Sequence, residues 1–143
     1  MKGRARRAGL LIVMTFLLGA CAHHRSEAAY GDEAGINANP VNYKSDIEAA
    51  MRAYLADPTG IRDAAVSEPV LKAASSSMPA RYVACLRFNA KKNATVYAGS
   101  KEIAAVFLAG RFDQFIDTPK EEQELCAGAT YAPFPELEKL PRY

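Results

Sequence analysis

Three cysteines and two histidines are the residues in this 143-residue chain best equipped for chemistry: Cys21, Cys85, Cys126, His23 and His24. A thiolate serves as nucleophile, redox centre or soft metal ligand, and imidazole is the base or ligand that commonly works beside it. Cys21, His23 and His24 crowd into LLGACAHH (17–24), a spacing that invites a metal-binding reading. Adjacent imidazoles in an extended chain point opposite ways, and only Glu27 and Asp32 follow as further ligands, so no metal site is expected. Because both histidines precede residue 25, Cys85 and Cys126 lack an imidazole partner in the rest of the chain, and no Ser-His-Asp triad can be assembled there. There is no CxxC, and no glycine-rich loop leads into a helix to hold phosphate. Asp113 and Asp117 are four apart and would share a face if FDQFID were helical, a carboxylate pairing used in hydrolysis but equally common on solvated surfaces. Arg81, Arg87, Lys91 and Lys92 lie beside Tyr82 and Phe88, the mixture with which a strand binds RNA, but the glycines of such a strand are missing. No catalytic residue, cofactor or nucleic-acid partner is expected.

What precedes Cys21 decides its role. Lys2, Arg4, Arg6 and Arg7 form a basic start, followed by the apolar run AGLLIVMTFLLGA (8–20). At about 1.5 Å per residue the run spans roughly 20 Å, short of the ~30 Å hydrocarbon core of a bilayer. Residues 1–20 therefore read as a signal segment rather than a spanning anchor. The Arg6-Arg7 pair lacks the fuller pattern of a twin-arginine signal. Leu18-Gly19-Ala20-Cys21 resembles the lipobox of bacterial lipoproteins, in which a branched apolar residue and two small ones precede a cysteine that becomes the first mature residue. In that family the cysteine carries a thioether-linked diacylglyceryl group, usually with an acylated amino terminus. The resemblance implies attachment to a membrane through lipid on Cys21, held by two or three acyl chains where a single chain binds only reversibly. Ala22, where an Asp would favour inner-membrane retention, implies the outer membrane, facing the periplasm. An ordinary signal peptide cut near Ala20 or Ala22 is the alternative. From Cys21 onward the chain carries fourteen Lys and Arg against sixteen Asp and Glu, a net of −2. The basicity belongs to the leader, and charge gives no argument for nucleic acid.

Lipidation leaves Cys85 and Cys126 as the only thiols of an exported chain, and an even pair in that setting reads as a disulfide, with buried free thiols as the alternative. The loop so closed, about 42 residues, contributes on the order of 4 kcal/mol in the chain-entropy model.

The elements that position these residues follow a tether and then one domain, 21–43 and 44–143. The tether is polar, broken by Gly31, Gly35 and Pro40, and without periodicity. Ser45-Asp46-Ile47-Glu48 is a capping-box sequence, and Ile47, Ala50, Met51, Tyr54 and Leu55 form an apolar helical stripe ended by Asp57-Pro58-Thr59-Gly60. Ile61 to Ser67 reads as a short strand and KAASSSMP (72–79) as a loop. Ala80 to Asn89 alternates, with Tyr82, Ala84, Leu86 and Phe88 on one face and Arg81, Val83, Cys85 and Arg87 on the other. ATVYAG and EIAAVFLAGRF follow as candidate strands, although residues 102–116 are rich enough in alanine to be helical. Thr118-Pro119-Lys120-Glu121 predicts a short helix to about Ala127, stopped at Gly128. Tyr131, Phe134, Leu137 and Leu140, among three prolines, are expected to lie along the domain without forming a further layer. The expected fold class is α+β: an N-terminal amphipathic helix packed on a small three- to four-stranded antiparallel sheet, with a short C-terminal helix.

A second resemblance rests on Leu55-Ala56-Asp57-Pro58, Tyr82-Val83-Ala84-Cys85, Asn89-Ala90-Lys91-Lys92-Asn93 and Tyr97-Ala98-Gly99. These are similar to a pattern in small, uncharacterised lipoproteins of alphaproteobacteria, with Leu86 standing where that pattern has a glycine. It implies compartment and fold only, since no activity attaches to it. The functional expectation is a lipid-anchored cell-envelope protein with a non-enzymatic interaction or structural role and an envelope protein partner. The alternative is a small-ligand-binding or hydrolase-inhibitor module, using a pocket or aromatic loop around Tyr97, Phe112, Phe115 and Phe134.

Overall fold

The computed structural model describes residues 35, 37–73 and 79–142. Cys21, His23, His24 and the apolar run 8–20 lie outside the described residues. Helix α1 spans Tyr43–Tyr54, followed by strands β1 (Arg62–Ser67), β2 (Val70–Lys72), β3 (Arg81–Lys91), β4 (Tyr97–Leu108) and β5 (Arg111–Ile116). Helix α2 (Pro119–Cys126), strand β6 (Tyr131–Pro133) and the single turn α3 (Pro135–Glu138) complete the order. The strands form one six-stranded antiparallel sheet in the order β5-β4-β3-β1-β6, with β2 pairing β3 beyond the end of β1.

This corrects the expected fold class. The sheet has six strands rather than three or four and dominates the molecule. Helix α1 is not the N-terminal element, because Gly35 upstream is already helical. Nor does it form the layer on which a small sheet rests, since it lies chiefly against β5 at the sheet's edge. The miscount has two sources. β2 and β6 are only three residues long, too short for a period-2 pattern to register, and they exist through tertiary pairing with β3 and β1. The segment 131–140 also does not lie passively along the domain. It supplies β6, and Phe134, Leu137 and Leu140 are buried in the main core.

β3 is the axis of the structure. Its alternation holds as expected, but both faces are covered. Ala84, Leu86 and Phe88 enter the main core with Ile47 and Met51 of α1, Ile103, Ala105 and Phe107 of β4, and Phe134 and Leu137. Val83 and Cys85 enter a second, smaller core with Ala104, Val106 and Cys126. A strand buried on two sides carries apolar residues at consecutive positions, as Val83 to Leu86 do. β4 follows the same logic, with Ile103 to Phe107 all buried. Its alanines, the source of the helix-or-strand ambiguity over 102–116, belong to a strand paired with β3 from Tyr97↔Lys91 to Phe107↔Tyr82. Ala109 and Gly110, at φ 51° and 76°, then form a two-residue hairpin loop to β5, the left-handed pair that matches strand twist.

Neither helix start is capped as its sequence suggests. Pro40 and Asn42 start α1 two residues early, so Ser45 sits inside the first turn and its Oγ donates to the Asn42 carbonyl at 2.9 Å. At α2 the Thr118 hydroxyl bonds to the Glu121 carboxylate instead of a backbone amide. The turn after α1 is held by Asp57, whose Oδ1 accepts from the Thr59 amide at 3.0 Å and hydroxyl at 2.6 Å. Among the described residues no helix is long and apolar enough to cross a membrane.

Candidate functional site

Cys85 and Cys126 are joined as a disulfide, with an S–S distance of 2.04 Å and Cα atoms 5.6 Å apart. The bridge decides between the two alternatives for these thiols and fastens the last residue of α2 to the middle of β3. Ala104, directly opposite Cys85 in the β3–β4 register, leaves room for the helix to approach. The Cys85 amide donates to Ser67 Oγ at 2.8 Å, so the bridge stands beside a satisfied buried hydroxyl.

One register step from the bridge is a polar cluster that draws on four elements. Arg87 of β3 faces Glu102 of β4, its Nη2 donating to Oε2 at 2.8 Å and its Nε to the same oxygen at 3.3 Å. The guanidinium lies 4.2 Å from the ring centroid of Tyr131 on β6. Glu122 of α2 completes the group: carboxylate oxygens of Glu102 and Glu122 and the Cys126 sulfur lie within 4.8 Å of one another. Three such atoms would suit a cation, but a bridged sulfur offers no thiolate, which leaves two carboxyls. Burial pushes the Glu102 carboxyl up, yet the Arg87 hydrogen bond, with the neighbouring Tyr131 and Glu122 side chains, outweighs it and holds it below the usual range. Burial raises Glu122, and so does the adjoining Glu102. Glu122 is therefore the member of the pair that keeps a proton to higher pH. The Tyr131 hydroxyl oxygen is buried without hydrogen-bond geometry to any partner, and burial, reinforced by Glu102, raises it well above an ordinary phenol.

A second polar group lies on the sheet's other face, at the β5 edge. Tyr54 Oη donates to Asp117 Oδ2 at 2.8 Å, and Lys101 Nζ donates to both, at 2.5 Å to Tyr54 and 3.2 Å to Asp117. Hydrogen bonds from Tyr54 and Lys101 lower Asp117. The Tyr54 ring meets Phe115 edge-on at 5.1 Å. Beside it, a hollow of about 490 Å³ opens between β5, α2 and the end of β2, lined by Phe115, Ile116 and Leu125 with Asp117, Glu121 and Lys72.

The residues singled out from sequence are only partly brought together. Asp113 and Asp117 lie in and just after a strand, not on a helix, and Asp117 is engaged with Lys101 and Tyr54. In the basic stretch, Phe88 is buried on one face of β3 and Arg87 is paired with Glu102 on the other, so the two do not form a joint stacking surface. Of the four aromatics considered for a binding loop, Phe134 is fully buried, Tyr97 donates to the Gly60 carbonyl at 2.9 Å, and Phe112 and Phe115 pack at a tilt with ring centroids 4.6 Å apart. Glu102, Glu122 and Tyr131 were not candidates from sequence. Glu102 alone carried a signal, as an acid on the same strand face as buried Ala104 and Val106. Comparison of the chain with protein-family models, with curated proteins and with solved structures gives no match.

Proposed function

We propose that this chain is a lipid-anchored cell-envelope protein that works by non-enzymatic contact with an envelope protein partner. The observation that carries the reading is Leu18-Gly19-Ala20-Cys21 behind a short apolar run and four cations. The Cys85–Cys126 bridge supports it, because disulfides persist in oxidising compartments. With Cys21 lipidated at the outer membrane, the domain faces the periplasm. Intact-mass spectrometry of the membrane-extracted protein tests the anchor: the expected mass begins at Cys21, adds a diacylglyceryl group and an acyl chain, and lacks the two hydrogens of the bridge. Crosslinking in the native membrane tests the interaction, and a lipidated protein that stays monomeric under crosslinkers of several lengths speaks against it.

The hollow beside α2 favours a second reading, a small-ligand-binding module. Its volume of about 490 Å³ and its apolar floor of Phe115, Ile116 and Leu125 fall within the range of small-molecule sites. Leu125→Trp would fill it, and ligand-induced shifts of the Ile116 methyl resonances that survive this change would place binding elsewhere.

A further inference from the structure

Two pairs of potential metal ligands meet at the Cys85–Cys126 bridge. Glu122 and Cys126 are four apart on α2, so one face of the helix carries both. On the sheet, Arg87 faces Glu102 and Cys85 faces Ala104, which sets Cys85 and Glu102 diagonally on one face of β3 and β4. One carboxylate oxygen from each glutamate and the Cys126 sulfur all lie within 4.8 Å of one another. The Cys85 sulfur is bonded to that of Cys126 and adjoins the same group. Two sulfurs and two carboxylates are thus gathered at one point, and only the bond between the sulfurs keeps them from acting together as ligands.

Zinc takes four ligands tetrahedrally, with cysteine sulfur at about 2.3 Å and carboxylate oxygen at about 2.1 Å, which sets neighbouring ligand atoms about 3.4–3.8 Å apart. The oxygens and the Cys126 sulfur have to close by at most about 1.4 Å to reach that spacing. The sulfurs have to part, a movement that side-chain rotation supplies with the two Cα atoms 5.6 Å apart. Both Arg87 bonds end on Oε2 of Glu102, so the guanidinium leaves the second oxygen to another partner, and its charge offsets part of the anionic excess. The Tyr131 hydroxyl, buried beside Glu102 with no partner in hydrogen-bond geometry, is an orphan donor that a metal-bound carboxylate or water would satisfy.

From this convergence we infer that reduction of the Cys85–Cys126 bridge creates a zinc site whose ligands are Cys85, Cys126, Glu102 and Glu122. A dithiol reductant passes two electrons and two protons to the bridge, closing its own disulfide and leaving two thiols, and zinc then displaces one proton from each thiol. Mixed thiolate and carboxylate donors suit zinc over calcium or magnesium, which take oxygen ligands. The reductant has a way in, since Cys85 lines a hollow of about 410 Å³ between β2, β6 and the end of α2. The helix is thus held to the sheet by a covalent bond when oxidised and by metal when reduced. Bridge and metal exclude each other, so each tenfold excess of free zinc over its dissociation constant makes the bridge tenfold easier to reduce, about 30 mV. The site goes beyond the envelope reading and does not depend on it.

Cobalt(II) substitutes for zinc and reports its ligands, by intense visible bands when tetrahedral and by a near-ultraviolet charge-transfer band when bound to thiolate. The full chain is reduced with a dithiol, freed of it under argon and titrated with cobalt. The expected result is both signals at one equivalent, abolished by zinc, and neither in the oxidised protein. Glu102→Gln and Glu122→Gln should each weaken cobalt binding by at least about tenfold, whereas Glu124→Gln, on another face of α2, should leave it unchanged. Where reduction loosens the fold, added zinc should restore the circular dichroism of the sheet in the unsubstituted chain but not in Glu122→Gln. Reduced protein that shows neither the cobalt signals nor recovery with zinc overturns the site. Cobalt bound equally by the oxidised protein, or equally by both glutamine variants and the unsubstituted chain, also overturns it, by placing the metal on other residues.

Discussion

Glu122 and Asp117 respond to pH in opposite senses, and both can be followed by single substitutions. Glu122 has a raised folded pKa, so its relative contribution to stability is full below the ordinary 4.5 and is lost as pH rises through the folded value. Glu122→Gln can donate to Glu102 at any pH. Its urea midpoint should exceed that of the unsubstituted protein at neutral pH by up to about 0.5 kcal/mol in stability, a small gain because the pair is solvent-screened, and the two should converge below about pH 4.5. Asp117 is lowered, so its contribution is present above the ordinary 3.8 and is lost as pH falls through its folded value. Asp117→Asn should cost no more than about 1 kcal/mol at neutral pH and progressively less as pH falls below the ordinary 3.8, as read from the same titrations. In the core the scale is larger. Phe134 is completely buried among residues of both chain halves, and Phe134→Ala should destabilise by about 3–5 kcal/mol.

At the level of elements, the bridge and the β4–β5 turn make the sharpest claims. Cys126→Ser frees α2 from β3 and should lower stability by about 4 kcal/mol, measured by chemical denaturation against the oxidised protein. Gly110, at φ 76°, should lose about 1 kcal/mol as Ala from backbone conformation alone, since its added Cβ would make only ordinary contacts. What could be read in advance divides along physical lines. α1, β3 and α2 announce themselves because their signals are local: an apolar stripe, a strict alternation, and a Thr-Pro start with a glycine stop. β4 was ambiguous because Ala104 and Ala105 are small for packing reasons, where layers on the two faces approach. β2 and β6 were illegible, being three-residue segments whose partners lie elsewhere in sequence. The Arg87–Glu102–Glu122–Tyr131 cluster was hidden for the same reason, since it depends on the β3–β4 register, on how α2 crosses the sheet, and on β6 joining β1.

For the molecule as a whole, the anchor reading predicts that Cys21→Ser moves the protein from the membrane pellet to the soluble fraction of a lysate, while a lipid-independent attachment would leave it in the pellet. The sheet's outer strand β5 places Arg111 and Asp113 on an unpaired edge, charges of the kind that discourage edge-to-edge association. The covalent link from β3 to α2 also bears on how fast the domain assembles. β6 must find β1 across a long stretch of chain, Ala132 pairing with Val66. Once Cys85 and Cys126 are joined, the shortest covalent path between those two residues runs through the bridge and falls from 66 residues to about 25. Loop-closure entropy scales as three halves of the logarithm of length, so the final search should be about four times faster in the oxidised chain. Stopped-flow refolding of oxidised and of reduced, thiol-blocked protein would measure that ratio. The bond that holds the finished fold also acts during assembly, as a shortcut that brings the last strand within reach of the first.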